Sequence, residues 1–257
     1  MTHSMEECIR AELRQVEQAH GVRIIYAVES GSRAWGFASP DSDYDVRFIY
    51  VCPMEDYLRL GKRQDFIDWK LDEVLDISGW DLIKAMRLLH ASNPTFLEWC
   101  NSPIKYVDTE EFQSLKQAAD DNFLLNAGLH HYLHIASGTY KSSLAGKEKV
   151  SLKKYMYVLR PLLAARWILE KHTPPPVLFS DLVEAELDEG WQAKVEALVK
   201  RKMTLKERDL VPPDAEMNGY LETEIRNLLE MSKGLPKEQK RHWQPLDELF
   251  LRLIGAR

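Results

Sequence analysis

Asp43 and Asp45 stand two residues apart at the head of the apolar run Asp43-Tyr-Asp-Val-Arg-Phe-Ile-Tyr-Val51. If that run is a strand, both carboxylates leave one face, with Cα atoms about 6.6 Å apart. Two carboxylates gathered in a cleft resist being ionised together unless opposite charge is supplied, and a divalent cation supplies it. Mg²⁺ takes carboxylate and phosphate oxygens alike, and two such ions about 3.5–4 Å apart activate an attacking oxygen while stabilising a leaving one. Ten residues separate Asp43 from Gly31-Ser32. Glycine permits close backbone approach, and the serine can cap a short helix and donate to a phosphate. Amides at a helix start favour anions. Phosphates held there, beside cations held by the aspartates, form the arrangement that nucleotidyl transfer requires. The same Ser-Asp-Ser-Asp letters also suit a solvated turn before a strand, so these residues alone leave both readings open.

Neighbouring elements must position that pair. Ile9, Leu13, Val16 and Glu17 fall on a helical stripe closed by Gly21, which predicts a helix over residues 4–20. Val22–Val28 is a β-branched run and predicts a buried strand; Glu29–Gly36 is a loop, and Phe37–Ser42 is rich in turn formers leading into the 43–51 strand. A third strand is expected at Glu73–Ser78. Asp81 then opens a helix with Leu82, Ala85, Met86 and Leu89 on one face, which Asn93-Pro94 should end. From residue 109 onward the strand signal disappears: Leu115, Phe123, Leu124, Leu129 and Leu133, then Leu159, Leu162, Leu163, Trp167 and Ile168, recur at helical intervals. The expected organisation is an α/β (α+β) domain with a mixed sheet at residues 1–108 and a helical domain at 109–257. Pro174-Pro-Pro176 and Pro212-Pro213 are its clearest connectors.

Gly31-Ser32, the ten-residue interval and Asp43-x-Asp45 resemble the signature of the DNA polymerase β-like nucleotidyltransferase superfamily. The wider context, GSRAWG, SPDSDYDVRFIYV, LDISGWDL, SNPTFLEW, SPIKY and LKKYMYVLRPLLAARW, resembles the bacterial YcgL-type nucleotidyltransferases, which are related to the RNA-ligase-associated group. The likeness spans roughly residues 20–180; Ser30 departs from it, standing where the superfamily usually has a hydrophobic residue. The resemblance implies Asp43 and Asp45 as metal ligands, Gly31 and Ser32 as the triphosphate turn, and a third carboxylate from a neighbouring strand. Asp76 is the best candidate, as third ligand or general base, since a charge interrupting Val74-Leu-Asp-Ile77 is otherwise hard to justify. Asp72 and Glu73 are the fallbacks. Mg²⁺ or Mn²⁺ and a nucleoside triphosphate, ATP among them, are the implied ligands, with an RNA end as favoured acceptor and a protein or small molecule as the alternatives. A nucleotide-binding regulatory module with little turnover is the competing reading.

Arg33 could meet a phosphate with its fork of donors or form a surface ion pair, and Trp35, beside a glycine, reads as packing. Lys153, Lys154, Tyr155, Tyr157 and Arg160 fall in one helix, where Lys153 and Arg160 share a face; a solvated face suits them equally, and the resemblance favours a nucleotide or acceptor contact. His130, His131 and His134 lack the glutamate and third ligand of a zinc site. The basic segment Lys233–Arg241 reads as an exposed linker. Phe37-Ala38 stands where a Walker loop needs Lys-Ser/Thr, and there is no GxGxxG or GxSxG, so direct transfer without a covalent intermediate is expected.

Composition sets outer bounds. The 257 residues are 45% hydrophobic and 29% charged, which excludes disordered and fibrous classes. With 34 Lys and Arg against 40 Asp and Glu, the net charge of -6 excludes coating nucleic acid by bulk charge, though not a local basic groove. Cys8, Cys52 and Cys100 contain no CxxC pair and suit a reducing compartment. With no signal peptide and no apolar run of about 18 residues, a cytoplasmic chain without membrane partners is expected.

Overall fold

The structure, a computed structural model, describes residues 4–39, 42–61, 63–204, 209–236, 238–239 and 241–256. Pro40 and Asp41 of the expected turn, and Lys237 and Lys240 of the expected basic linker, lie outside the described residues. The chain divides into two compact units. One comprises residues 1–34, 43–122 and 240–257; the other comprises residues 35–42 and 123–239.

The first unit is built on five strands: β1 (Arg23–Glu29), β2 (Tyr44–Val51), β3 (Phe66–Leu71), β4 (Leu75–Asp81) and β5 (Lys105–Asp108). Their order is β3-β4-β2-β1-β5, with β2 and β4 parallel and the other pairs antiparallel, a mixed sheet. Helix α1 (Met5–His20) starts at a Ser4–Glu7 capping box and stops at Gly21 in the left-handed region. Its buried stripe, Ile9, Leu13 and Val16, joins Ala27, Val46, Phe48, Tyr50 and Ile77 in one apolar core. Four-residue helices α2 (Gly31–Ala34) and α3 (Met54–Tyr57) follow β1 and β2. Helix α4 (Leu82–His90) is capped by Asp81, as the sequence suggests. Asn93-Pro94 begins α5 (Pro94–Cys100): the asparagine side chain accepts from Phe96 N while the proline takes the first turn, where no N–H is needed.

The 108/109 boundary is corrected by α6 (Glu110–Asp121), which belongs to the sheet unit. Thr109 caps it and donates to Ile25 O at 2.7 Å, and Phe112 stacks on Tyr26 with ring centroids 3.4 Å apart. The last helix, α12 (Gln244–Leu253), belongs to the same unit: Phe250 packs edge-on against Tyr57, and Trp243, its N-cap, stacks on His90.

The second unit contains α7 (Leu125–Ser143), α8 (Leu152–Lys171), α9 (Phe179–Glu186), α10 (Glu189–Thr204) and α11 (Ala215–Lys233) around Leu129, Leu133, Leu159, Leu162, Leu163, Leu182 and Leu221. Pro161 lies inside α8, which continues past it as one element. Residues 35–42 contribute Phe37 to this core. Their attachment is specific: Phe179 N donates to Trp35 O at 2.9 Å, and the buried Lys202 ammonium donates to Phe37 O at 3.0 Å and Ser39 Oγ at 3.1 Å. Among the described residues no helix is long and apolar enough to cross a membrane.

Candidate active site

β1 ends at Glu29, and the chain turns through Ser30 into Gly31, whose φ of 60° a side chain would strain. Space makes the same demand: a β-carbon on Gly31 would overlap Asp45 Oδ2 and stand 3.0 Å from Asp45 Cγ. Ser30 N donates to Asp45 O at 2.8 Å, so the glycine turn and the carboxylate strand meet directly. Ser32 is buried.

Sequence reasoning missed the group beneath this junction. Glu29 is 1% exposed; its Oε1 accepts from Asp45 N at 2.9 Å and its Oε2 from the Tyr106 hydroxyl at 2.5 Å. Burial pushes its carboxyl above the ordinary range, while the Tyr106 bond and the Asp45 amide pull the other way. A glutamate closing an apolar strand is the only sequence signal of it.

Asp45 and Asp76 are register partners across parallel β2 and β4, so the two carboxylates leave adjacent positions on one face. Arg47 bridges them: its Nη2 lies 3.1 Å from Asp45 Oδ1 and 2.6 Å from Asp76 Oδ2. Asp43 lies just outside the strand rather than in it, since β2 begins at Tyr44. Its side chain is exposed, and its carbonyl accepts from Arg33 Nε at 3.0 Å. The Arg33 guanidinium covers the Tyr44 ring at 3.7 Å, so this cation braces the start of β2. The fallbacks lie apart from the bridge: Asp72 accepts from Val74 N and Leu75 N, bonds that hold its carboxyl below the usual range, and Glu73 is exposed.

Among the described residues no three His, Cys, Asp or Glu side chains are already gathered closely enough to hold a metal ion. The donor set nevertheless fits a divalent cation: two hard carboxylates leave neighbouring strands, an organic cation stands between them, and the Gly31 notch admits Asp45 Oδ2.

The residues expected on α8 divide. Tyr155 is buried, donating to Asn218 Oδ1 at 3.0 Å and accepting from Asp214 N at 2.9 Å. Arg160 is also buried; it donates to Val177 O at 3.3 Å and lies 4.5 Å over the Trp35 ring. The polar ends of both are spent inside the helical unit. Lys154 is exposed and Lys153 half-buried, their ammonium groups 5.7 and 5.4 Å from the Tyr157 ring. Trp35 packs against Phe37 and Tyr157. His130 and His134 are exposed on α7.

The profile of the RNA repair pathway DNA polymerase beta family, RlaP, matches residues 5–252. The chain belongs to that family. This RlaP-family chain is 42% identical over 252 residues to the uncharacterized protein YcgL of Bacillus subtilis strain 168, covering 97% of this chain and 96% of that one. It is also similar to a crystal structure of a nucleotidyltransferase-like protein from Exiguobacterium sibiricum, at 12% identity and a TM-score of 0.33, over 97% of this chain and 80% of the other. RlaP membership makes the chain a member of a polymerase β-like nucleotidyltransferase family, and its five-stranded sheet is mixed.

Proposed function

We propose that the chain transfers a nucleoside monophosphate from a nucleoside triphosphate to an acceptor hydroxyl or phosphate, in the cytoplasm, with an RNA end as the favoured acceptor. The observation that carries this reading is the contact of Gly31 with Asp45, which sets a turn suited to phosphates against a carboxylate suited to a cation. The family's description as an RNA repair pathway polymerase supports the choice of acceptor.

In this reading Gly31 and Ser32 receive the triphosphate, and Arg33 stands beside that turn. Asp43 and Asp45, with Asp76, would hold Mg²⁺ or Mn²⁺; bound there, the ion supplies positive charge to phosphate oxygens that gain negative charge during transfer. Asp76 is third ligand or general base for the acceptor proton. The acceptor oxygen bonds to the α-phosphorus, the bond from that phosphorus to the β-phosphate bridging oxygen breaks, and pyrophosphate leaves. Glu29 fixes the Asp45 amide and thereby the strand that aims the carboxylates. Lys153 and Lys154 are assigned to nucleotide or acceptor phosphates, with Tyr155 and Arg160 supporting the helix that carries them.

The test is incubation with each α-labelled triphosphate, Mg²⁺ and pools of RNA, protein and small-molecule acceptors. Label transfer that disappears in Asp43→Asn and Asp45→Asn supports the enzyme. Triphosphate binding without transfer to any acceptor overturns it in favour of a regulatory module.

A further inference from the structure

Arg47 divides its guanidinium between two kinds of partner. Nη1 donates to Val46 O at 3.0 Å and Asp76 O at 2.9 Å, which fixes that half of the fork to the main chains of both central strands. Nη2 is given to carboxylates, Asp45 Oδ1 and Asp76 Oδ2. The Arg47 side chain is 18% exposed and each aspartate side chain 33%, so the cation is the more deeply set and the anions face the open side.

This geometry has an electrostatic reason. Asp45 and Asp76 are directly opposite on parallel strands about 4.8 Å apart, where like charges repel. One guanidinium offsets one of the two charges and bridges both groups. A divalent ion seeking the same carboxylate oxygens meets a positive charge already bonded to them.

We propose that Arg47 is a built-in counter-cation, which holds Asp45 and Asp76 together while no divalent ion is bound and competes with that ion for their oxygens. The proposal rests on the carboxylates being the metal site of the reading above. Its consequence is an order of loading: the nucleotide-free protein holds a bare ion weakly, and an ion arriving with a triphosphate binds better because the phosphates bring negative charge that offsets Arg47. Nη1, anchored on two carbonyls, keeps the side chain in place when Nη2 gives up a carboxylate.

The experiment is Mn²⁺ binding to the full nucleotide-free chain, followed by electron paramagnetic resonance, with thermal unfolding in chelator and in Mn²⁺. Arg47→Gln should bind Mn²⁺ about tenfold more tightly than the unaltered protein, since a positive charge bonded to the same carboxylates has been removed. It should unfold at lower temperature in chelator and regain more on adding Mn²⁺. Arg47→Lys keeps the charge without the fork, and its affinity should fall between the two. Unchanged or weaker Mn²⁺ binding by a folded Arg47→Gln overturns the proposal; should that variant not fold, an Arg47→Lys affinity at or below the unaltered protein's does so. Loss of binding in Asp45→Asn, in either case, leaves the metal site standing. Absence of Mn²⁺ binding in every variant overturns the metal reading itself, and this proposal with it.

Discussion

The sheet unit and the helical unit use their inward cations in opposite ways. Arg47 gives half its fork to carboxylates on a partly open sheet face, whereas Arg160 and Lys202, 3% and 4% exposed, donate to the main-chain carbonyls of Val177 and Phe37. A cation bonded to half-exposed carboxylates can be exchanged for another cation. One sealed against carbonyls cannot leave without stranding a buried acceptor, which costs about 1–3 kcal/mol. Acceptor type and solvent access therefore separate a cation that can be exchanged from cations that hold shape.

That contrast can be broken most forcefully at the carboxylates. Asp45→Asn should lower label transfer about a thousandfold or more with little change in unfolding temperature, because charge stabilisation at the reacting phosphate is lost while packing is kept; persistent transfer would move the chemistry elsewhere. Gly31→Ala should cost about a hundredfold in transfer and about 1–3 kcal/mol in stability by urea unfolding, since the new methyl meets Asp45 at a strained φ. In the helical unit the balance should reverse. Lys202→Met should cost about 1–3 kcal/mol by leaving Phe37 O without this donor, an effect read in denaturant midpoints before it is read in transfer.

The smallest effect concerns pH. Burial holds the Glu29 carboxyl above its ordinary 4.5 in the folded state, so the folded chain binds that proton more readily than the unfolded one. The resulting stability is complete below pH 4.5 and is lost as pH rises through the raised folded value. Glu29→Gln removes the titrating group while keeping an acceptor for Asp45 N, so its stability relative to the unaltered protein should improve from pH 4.5 to 8 in urea titrations. A flat difference across that range would mean that burial does not govern Glu29.

Much of the sheet unit was legible because its central strands are continuous apolar runs: the expected strands at 22–28 and 43–51 correspond to β1 and β2 within one residue at each end. β3 escaped because Phe66–Leu71 places Asp68 and Lys70 among its apolar residues at an exposed edge, and β5 because four residues carry too little pattern. The pairing of Asp76 with Asp45 depends on register across a parallel crossover, which spacing does not encode. Arg47 was invisible for the same reason: its role is fixed by a neighbour twenty-nine positions away. The unit boundary does not coincide with the change from strands to helices at 108/109, because Thr109 and Phe112 tie α6 to β1.

The interval between Ser32 and Asp43 is more than a spacer, for Phe37 is buried in the core of the helical unit as a plug and Lys202 bonds its carbonyl as a latch. A gene severed after codon 108 would yield a sheet fragment whose Phe37 has lost its socket, and a helical fragment missing its plug. Swapping the helical half for a foreign counterpart would therefore require supplying a new socket for Phe37 and a new donor for its carbonyl.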